Sequence, residues 1–380
     1  MSESKRLPRV AVTGGAGFLG WHTAVRAQTL DLADPVIVTR TDFADEGRLA
    51  VKLAGVDRVI HLAGVNRAES DEDLEQGNAD IAACLAAAIP QGVDVVYANS
   101  IQQDLDNAYG RGKRRAAEIL GEAVRRNGGV FTDVVLPNIF GEHGRPQYNS
   151  FVATFCDLIA RGQHPRILHD REIPLLHAQE AAQVLLSADA GTDRQVRPSG
   201  TTIAVSKVDE LLQSMSTLYA TGDIPRFANE LELDLFNTLR SFLFPSHYPI
   251  RPKVNADPRG RLWEIARGHG TAGQSFVSTT SPGQARGNHY HLRKIERFAV
   301  VQGKARIGLR RLGYDDVIYF DVSGDDPCFV DMPTMWVHNI VNAGDEDLLT
   351  VFWSDQLLDP DNPDQYPAMV DVAVNGGAGR

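Results

Sequence analysis

The sequence predicts two domains: an α/β domain with a doubly wound parallel sheet, followed by an all-β sandwich or barrel. Its 380 residues exceed the size of one ordinary domain. Strand and helix patterns alternate through the first part, which is typical of a parallel sheet. After Phe244, short strand patterns follow one another closely with turn signals between them, which is typical of an all-β domain.

Five short apolar segments in the first part are interpreted as buried strands: Arg9–Thr13, Val36–Thr39, Arg58–Leu62, Val93–Ala98 and Val130–Pro137. Helical patterns lie between them, for example over Ala79–Ala88 and Arg111–Arg126. Because parallel strands need long crossover connections, this alternation indicates helices on both faces of one sheet.

The pattern changes near Phe244, where four prolines follow at positions 245, 249, 252 and 258. Six strand-like runs come next: Gln274–Thr280, Ile295–Val301, Ala305–Arg310, Asp316–Asp321, Trp336–Val341 and Leu348–Trp353. We therefore expect domains over residues 1–245 and 246–372. The tail from Asp359, which closes with Gly-Gly-Ala-Gly, is expected to wrap a surface and then fray.

Charge and targeting signals exclude several classes of function. A net charge of -11 disfavours nucleic acid as a partner but still allows a local site for a small anion. No apolar run is long enough to span a membrane, and the N-terminus has no signal-peptide core. The three cysteines, Cys84, Cys156 and Cys328, show no paired spacing, which is typical of a reducing compartment. We expect a cytoplasmic protein.

A glycine-rich turn follows the first predicted strand. Gly14, Gly17 and Gly20 are spaced three apart, directly after the strand and at the start of a helix. Glycines allow the backbone to approach a pyrophosphate, and the helix N-terminus supplies amide donors and a positive dipole. Glycines also mark plain turns, but their position between strand and helix favours a dinucleotide site.

Position 40 follows the second predicted strand. An acidic residue there would bind the ribose 2′-hydroxyl of NAD. The sequence has Arg40 instead, and the first acid is Asp42. Because a guanidinium pairs well with a 2′-phosphate, NADP(H) is favoured over NAD. The alternative is that Arg40 is only a solvated residue at a strand end.

A tyrosine and a lysine, Tyr109 and Lys113, are four residues apart and share one face of a predicted helix. A nearby ammonium stabilises phenolate and brings the tyrosine pKa from about 10 toward the working range of an acid. Ser100, after the fourth strand, can hydrogen-bond the carbonyl oxygen that the tyrosine protonates. We expect these three residues to be catalytic.

These motifs, with His61-Leu62-Ala63-Gly64, resemble the extended short-chain dehydrogenases/reductases of the Rossmann class that modify nucleotide sugars. In that family the segment matching Leu136–Gly141 lies on the substrate side, which implies that Asn138 contacts the sugar nucleotide. The serine-to-tyrosine gap is shorter than usual, so Ser100 or Gln102 fills the serine role. Gly64 stands where alanine is common. The resemblance implies cofactor contacts from the following residues: Gly14, Ala16, Gly17, Phe18, Leu19, Gly20, Arg40, Leu62, Ala63, Gly64, Tyr109, Lys113 and Leu136.

The second domain carries a candidate metal site. His289 and His291 are two apart, so on a strand they would point the same way, and Glu296 and His338 follow. Three imidazoles and a carboxylate suit zinc, iron, manganese or nickel, with zinc as the first expectation. The pattern His-x-His-x4-Glu-x6-Gly, then Pro-x4-His-x3-Asn, is similar to the two motifs of the cupin barrels. It departs from them at Met335, where cupins usually carry glycine.

A reductase of this class joined to a C-terminal cupin resembles the CapF-type capsular polysaccharide enzymes over nearly the whole chain. Its most specific segments are 136–156 and Gly287–Gly303. The resemblance implies a homodimer in which the cupin domain epimerises carbon 3 of a UDP-2-acetamido-2,6-dideoxy-4-keto-hexose. The first domain then reduces the 4-keto group with NADPH, on the route to UDP-N-acetyl-L-fucosamine.

Two other functions stay open at this point. The chain is alternatively an NADP-dependent nucleotide-sugar 4-reductase whose cupin is structural or holds a dimer together. It is alternatively a nucleotide-sugar sensor with a degenerate reductase, which the intact Ser100, Tyr109 and Lys113 argue against. The base for epimerisation is undecided among Tyr290, Lys294 and Arg306, and the sequence leaves the nucleotide and the metal open.

Overall fold

The computed structural model describes residues 6–188, 194–270 and 272–371. Contacts divide these residues into two units. The first unit comprises residues up to Val152 together with 167–206, and the second comprises 153–166 together with the chain from Lys207 onward.

Among the described residues, nine strands belong to the first unit. They are β1 (Arg9–Thr13), β2 (Asp34–Val38), β3 (Arg58–His61), β4 (Asp94–Ser100), β5 (Phe131–Leu136), β6 (Asn138–Phe140), β7 (Glu172–His177), β8 (Arg194–Val196) and β9 (Thr201–Ala204). Six form a parallel sheet in the order β2-β1-β3-β4-β5-β8, and the others form a small sheet in the order β6-β7-β9. The predicted parallel sheet is confirmed.

The helices of the described residues are α1 (Phe18–Thr29), α2 (Arg40–Phe43), α3 (Glu46–Leu53), α4 (Asp71–Ala88), α5 (Ala108–Arg126), α6 (Phe151–Ala160), α7 (Ala178–Ser187), α8 (Val205–Tyr219) and α9 (Glu230–Leu243), with a 3-10 turn at Ile101–Asp104. Two apolar clusters fill the first unit. One joins β1, β3 and β4 to α3, α4 and α5, and the other joins the same strands to α7. Each cluster follows from strands that are apolar along their whole length, which is typical of a sheet covered on both faces.

The strands of the second unit are β10 (Asp223–Ile224), β11 (Asn255–Asp257), β12 (Gly260–Leu262), β13 (Arg267–Gly268), β14 (Gln274–Thr280), β15 (Ala285–Tyr290), β16 (Glu296–Gln302), β17 (Lys304–Arg311), β18 (Val317–Ser323), β19 (Phe329–Met332), β20 (Trp336–Asn342), β21 (Leu348–Ser354) and β22 (Tyr366–Pro367). Antiparallel sheets in the orders β14-β21-β16-β19 and β18-β17-β20-β15-β22 contain the predicted strands. Their buried side chains include Phe298 and Phe352, whose ring centroids lie 4.5 Å apart. This all-β region agrees with the predicted cupin-like fold.

Helix α9 is joined to the β strands of the second unit by a buried ionic network. Arg297 on β16 pairs with Asp331 on β19 at 2.6 Å, and both side chains are almost fully buried. The guanidinium of Arg240 on α9 donates to the carbonyl oxygen of Met332 at 2.7 Å. Tyr219 at the end of α8 donates to Asp331 at 2.7 Å. Helices α8 and α9 therefore share their core with the β strands.

The sequence-based boundary between residues 245 and 246 stays a prediction, drawn where the class of secondary structure changes. The contact-based division places α9, before that boundary, with the β strands that follow it. No helix among the described residues is both long enough and apolar enough to cross a membrane.

Candidate active site and metal centre

The glycine turn after β1 is built around a backbone conformation that favours glycine. Gly14 has φ +66°, and the amide of Gly17 donates to its carbonyl oxygen at 2.8 Å. A side chain on Gly20 would overlap that same carbonyl oxygen. Gly17 and Ala16 are exposed, and α1 begins directly afterwards at Phe18. The turn thus presents exposed backbone and a helix N-terminus to a ligand.

Thr13 joins the glycine turn to the segment after β3. Its Oγ1 accepts hydrogen bonds from the amides of Leu62 at 3.1 Å and Ala63 at 3.2 Å. A Cβ on Gly14 would lie 3.0 Å from the amide nitrogen of Ala63. The structure therefore brings together the glycine turn and the predicted cofactor residues 62 and 63. Thr13 was not among the site residues predicted from the sequence. Its position as a polar residue at the end of an apolar strand was the signal that could have identified it.

Gly64 occupies a position with no room for a methyl group. A Cβ there would lie 2.9 Å from Oδ1 of Asn78. That amide side chain accepts from the amide of Val65 at 3.2 Å and donates to its carbonyl oxygen at 2.8 Å. The buried Asn78 is thus a physical reason for glycine where alanine is common.

Arg40 lies at the first position of α2 and is exposed. The preceding Thr39 caps this helix, and the carboxylate of Asp42 accepts from the amide of Thr39 at 2.7 Å and from its hydroxyl at 2.9 Å. Burial opposes ionisation of Asp42, yet these hydrogen bonds hold its pKa below the ordinary value. The first acid after β2 is therefore engaged in the helix cap, while the guanidinium of Arg40 faces solvent.

The predicted catalytic residues lie at the end of β4 and the start of α5. Ser100 ends β4, and its Oγ accepts from the amide of Gln102 at 3.2 Å. Asn107 caps α5 through the amide of Gly110 at 2.7 Å, which sets Tyr109 in the first turn. A side chain on Gly110 would overlap the carbonyl oxygen of Gln102, so the helix start packs closely on the segment after Ser100.

Asn99 positions the backbone of Ser100 through a hydrogen bond, and it was not among the site residues predicted from the sequence. Its Oδ1 accepts from the amide of Ser100 at 2.8 Å, while its Nδ2 donates to Asp133 at 2.9 Å and to Gln103 at 2.7 Å. The side chains of Asn99, Gln103 and Asp133 are all buried. A buried amide directly before the predicted serine was the signal in the sequence.

Lys113 is buried, with only 5% of the residue exposed. Its Nζ donates to the carbonyl oxygen of Ala98 at 2.7 Å and lies 4.2 Å from the ring centroid of Tyr97. Burial lowers the pKa of Lys113 to about 7, although Asp133 opposes the shift. Its side chain thus lies against β4.

The pKa of Tyr109 moves in the direction opposite to the sequence-based expectation. Burial and the neighbouring Tyr148 raise it to about 12. The expectation assumed a charged lysine at the phenol, whereas the Lys113 amine contacts the carbonyl oxygen of Ala98 and the ring of Tyr97. A phenol with this pKa is protonated at neutral pH, but it is a weaker acid than the lowered pKa expected from the sequence would make it.

The segment after β5 carries the predicted substrate residue. Leu136 is buried in the core, and Asn138 is half-buried with its Nδ2 donating to the carbonyl oxygen of Pro174 at 3.2 Å. Just beyond, buried Glu142 contacts Nε2 of His177 at 3.0 Å. Burial opposes ionisation of Glu142, but His177 lowers its pKa to about 2. This pair fixes the end of the segment to β7.

The four predicted metal ligands come together between the two sheets of the second unit. His289 on β15 and His338 on β20 are cross-strand partners. Nε2 of His291 and of His338 each lie 3.2 Å from Oε2 of Glu296, and Nε2 of His289 lies 3.4 Å from it. One ligand atom from each of the four residues lies within 4.8 Å of the others.

The strand geometry differs from the sequence-based picture in two places. His291 lies one residue beyond the end of β15, and the β15 register shifts between Gly287 and His289, with Asn288 at φ 59°. This bulge, rather than plain alternation, aims the histidines at Glu296. Met335 is buried with φ 61°, and its amide donates to the carbonyl oxygen of His291 at 2.7 Å. That left-handed conformation explains why glycine is usual there.

The chemistry of these four residues fits a divalent metal ion. Nδ1 of His338 hydrogen-bonds the carbonyl oxygen of Trp336 at 3.0 Å, and Nδ1 of His291 hydrogen-bonds that of Asp364. Each carbonyl fixes the tautomer that turns an Nε2 lone pair toward Glu296. Burial lowers the pKa of His338 to about 4, which keeps it neutral as a ligand. Nε2 of His289 is buried and has no hydrogen-bond partner among the described residues.

The tail from Asp359 forms part of this site, which the sequence did not indicate. The carboxylate of Asp364 accepts from the amides of Leu292, Arg293 and Lys294 at 2.7–2.9 Å. Strand β22 pairs with β15 beside His289. The predicted surface-wrapping role agrees with these contacts, while the closing Gly-Gly-Ala-Gly lies outside the described residues.

Comparisons with known proteins place these sites in a family. A Pseudomonas aeruginosa protein named UDP-2-acetamido-2,6-β-L-arabino-hexul-4-ose reductase is 31% identical over 374 residues, covering 95% of this chain and 99% of that protein. The crystal structure of capsular polysaccharide assembling protein CapF from Staphylococcus aureus is 30% identical, with 95% and 100% of the two chains covered and a TM-score of 0.58. The chain belongs to the CapF family.

Matches to the separate parts agree with this family. Residues 10–197 match the NAD dependent epimerase/dehydratase family, and residues 255–366 match the polysaccharide biosynthesis C-terminal domain. UDP-glucose 4-epimerase from Thermotoga maritima, at 16% identity and a TM-score of 0.52, covers 62% of this chain and 98% of its own, and shares the fold. Membership of the CapF family therefore indicates an oxidoreductase that uses a nicotinamide cofactor, as expected from the glycine turn.

Proposed function

We propose that this protein makes a nucleotide sugar for a surface polysaccharide by two steps, on the route to UDP-N-acetyl-L-fucosamine. The β domain epimerises carbon 3 of a UDP-2-acetamido-2,6-dideoxy-4-keto-hexose, and the α/β domain reduces the 4-keto group with NADPH. The observation that carries the proposal is the presence in one chain of Ser100, Tyr109 and Lys113 beside a dinucleotide turn and of a buried three-histidine, one-glutamate cluster.

In the reduction, the phenol of Tyr109 donates its proton to the sugar oxygen as hydride reaches carbon 4. At neutral pH the phenol carries that proton, because its pKa lies well above 7. The hydroxyl of Ser100 accepts from the amide of Gln102, so its own proton can be donated to the same carbonyl oxygen. A bound NADPH supplies the hydride. Asn138, at the start of β6, orients the sugar.

The preference for NADPH rests on Arg40. Its guanidinium is exposed at the start of α2, where the adenosine ribose of a dinucleotide binds in this fold. Asp42 is the acid that would otherwise meet a ribose 2′-hydroxyl, but it is held by Thr39. A 2′-phosphate can therefore pair with Arg40 without a competing carboxylate.

The epimerisation is assigned to the metal cluster. A divalent ion, which we expect to be Zn²⁺, supplies Lewis-acid stabilisation to a developing enolate when it is bound. His289, His291, Glu296 and His338 would hold it. Two of the three candidate bases already have polar partners. The amine of Lys294 donates to the carbonyl oxygen of Pro363, and the guanidinium of Arg306 is paired with the carboxylate of Asp321 at 2.7 Å.

The reductase is tested by following NADPH oxidation with a 4-keto-6-deoxy UDP-sugar. Tyr109→Phe removes only the proton-donating oxygen, so we expect loss of oxidation with NADPH affinity retained. Tyr314→Phe, at an exposed tyrosine of the second unit, is the matched control and keeps full activity. Reduction by Tyr109→Phe at the rate of the unmodified protein would refute the assignment.

The epimerase is tested by mass spectrometry of deuterium uptake at carbon 3 in D2O. We expect one metal ion per chain, little metal in His289→Ala, and no uptake by that variant. Its NADPH affinity should be unchanged, and Tyr109→Phe should still exchange the proton. Normal uptake by a folded, metal-free His289→Ala protein would leave the β domain with a structural role.

Two further expectations belong to this proposal. The protein is expected to form a homodimer, which light scattering after gel filtration measures directly. It is expected to act in the cytoplasm, where its nucleotide-sugar substrate and NADPH are available, and fractionation of the producing cells tests this.

A further inference from the structure

Two arginines lie against one tyrosine ring, that of Tyr148, near the predicted catalytic tyrosine. The guanidinium carbon of Arg67 lies 5.2 Å from the ring centroid of Tyr148, and that of Arg145 lies 5.0 Å from it. A guanidinium nitrogen of Arg67 also donates to the carbonyl oxygen of Tyr148. Guanidinium groups stacked on an aromatic ring keep their N–H edges available for other partners. We call Arg67 and Arg145 the arginine pair.

This group lies at the edge of the sheet where the catalytic residues are. Arg67 follows the carboxyl end of β3, and Arg145 and Tyr148 follow β6, which continues the chain from the carboxyl end of β5. Tyr109 follows the carboxyl end of β4. Ligands of open α/β sheets bind beyond the carboxyl ends of the strands. The effect of Tyr148 on the pKa of Tyr109 agrees with this proximity.

The charges of the arginine pair are not neutralised by the protein. Both side chains are exposed, and within the described ranges neither Arg67 nor Arg145 has a carboxylate within ion-pair distance. Neighbouring Arg111, in contrast, is paired with Glu75 at 2.7 Å. In a chain of net charge -11, two unpaired guanidiniums beside one ring form a local positive site.

We infer that Arg67 and Arg145 bind the diphosphate of the nucleotide-sugar substrate. Each guanidinium offers a planar fork that matches two phosphate oxygens, and two forks match the two phosphates. Tyr148 fixes both forks beside Tyr109, so the sugar attached to the diphosphate lies toward the phenol. The inference rests on the proposed function, because it names how the substrate of that same site is held.

The test is calorimetric titration of the complete protein with UDP, uridine and NADPH. In the unmodified protein we expect UDP to bind more tightly than uridine. Arg67→Gln and Arg145→Gln should each weaken UDP binding roughly tenfold to a hundredfold and leave uridine and NADPH unchanged. In turnover, each variant should raise KM for the UDP-sugar with kcat nearly unchanged, since the charges bind without taking part in the chemistry.

Arg171→Gln is the matched control. Arg171 is also exposed, but it precedes β7, at the opposite end of the small sheet from the segment that carries Arg145. Arg171→Gln removes the same charge as the other two variants but away from the proposed diphosphate site. UDP affinity should therefore stay at the value of the unmodified protein. Among the described residues the side chain of Arg145 makes no hydrogen bond to the backbone, so the result for Arg145→Gln stands even where Arg67→Gln disturbs the Tyr148 segment.

The outcomes separate this inference from the proposed function. Unchanged UDP affinity in both variants, or a loss of NADPH affinity in place of UDP affinity, overturns the diphosphate site alone. An unmodified protein that binds NADPH but neither UDP nor the UDP-sugar overturns the proposed function together with the site.

Discussion

Replacement of Lys113 by methionine should abolish reduction yet stabilise the cofactor-free protein. The pKa of this buried amine falls from 10.5 to about 7 on folding. The folded chain therefore binds fewer protons than the unfolded chain between those two values. The lysine therefore lowers the free energy of unfolding. This effect is largest below pH 7 and disappears as pH rises toward 10.5. At pH 7.5 it amounts to about 4 kcal/mol, taking about 1.4 kcal/mol for each unit of pKa.

The measurement is the free energy of unfolding of both proteins between pH 7.5 and pH 9. Hydrogen exchange of peptides from β4 and α5 in urea restricts the measurement to the first unit. The advantage of Lys113→Met should shrink by about 2 kcal/mol over this range, because the unmodified protein gains about 1.4 kcal/mol per pH unit. Lys52→Met, at an exposed lysine, is the control. A difference between Lys113→Met and the unmodified protein that does not vary with pH would refute the argument.

Three further predictions concern other parts of the site. Arg40→Ala should weaken NADPH binding roughly tenfold to a hundredfold and leave NADH binding unchanged in fluorescence titrations. Glu142→Gln should lower the thermal midpoint, since it removes a charge-assisted contact with buried His177 worth on the order of 1.5–3 kcal/mol; an unchanged midpoint in calorimetry would contradict this. Asp364→Asn should lower metal affinity roughly tenfold in competition with a chelator, because Asp364 holds the segment after His291.

Strands β1–β5 of the first unit and β14, β16, β17, β18, β20 and β21 of the second could be predicted because they are apolar along their length or alternate regularly, whereas the remaining strands were not predicted. The prediction for β2 began at Val36, whereas the strand begins at Asp34 and includes Pro35. Proline lacks an amide donor and is tolerated because β2 is an edge strand, a fact that depends on the order of strands in the sheet. The sequence pattern carried no information on that order.

The identities of the candidate site residues were accessible from spacing, but their environments were not. Tyr109 and Lys113 share a helix face as expected. Whether the amine reaches the phenol depends on the ring of Tyr97 and the carbonyl of Ala98. Arg67, Arg145 and Tyr148 lie on two separate loops, so only the fold brings them together. Local patterns predict which chemistry is present, while long-range packing determines the charge state of each group.

The two ways of dividing the chain follow from different physical quantities. Secondary structure changes class near residue 245, because β-rich segments with prolines begin there. The buried core does not change there, since the buried guanidinium of Arg240 on α9 donates to the carbonyl oxygen of Met332 on β19. Helix α9 also contacts the segment between His291 and Glu296, where Asn237 donates to the carbonyl oxygen of Arg293 at 2.8 Å. A β domain cut at residue 246 would lose these partners and leave buried polar groups unpaired, so the helix belongs to the folding unit that holds the metal ligands.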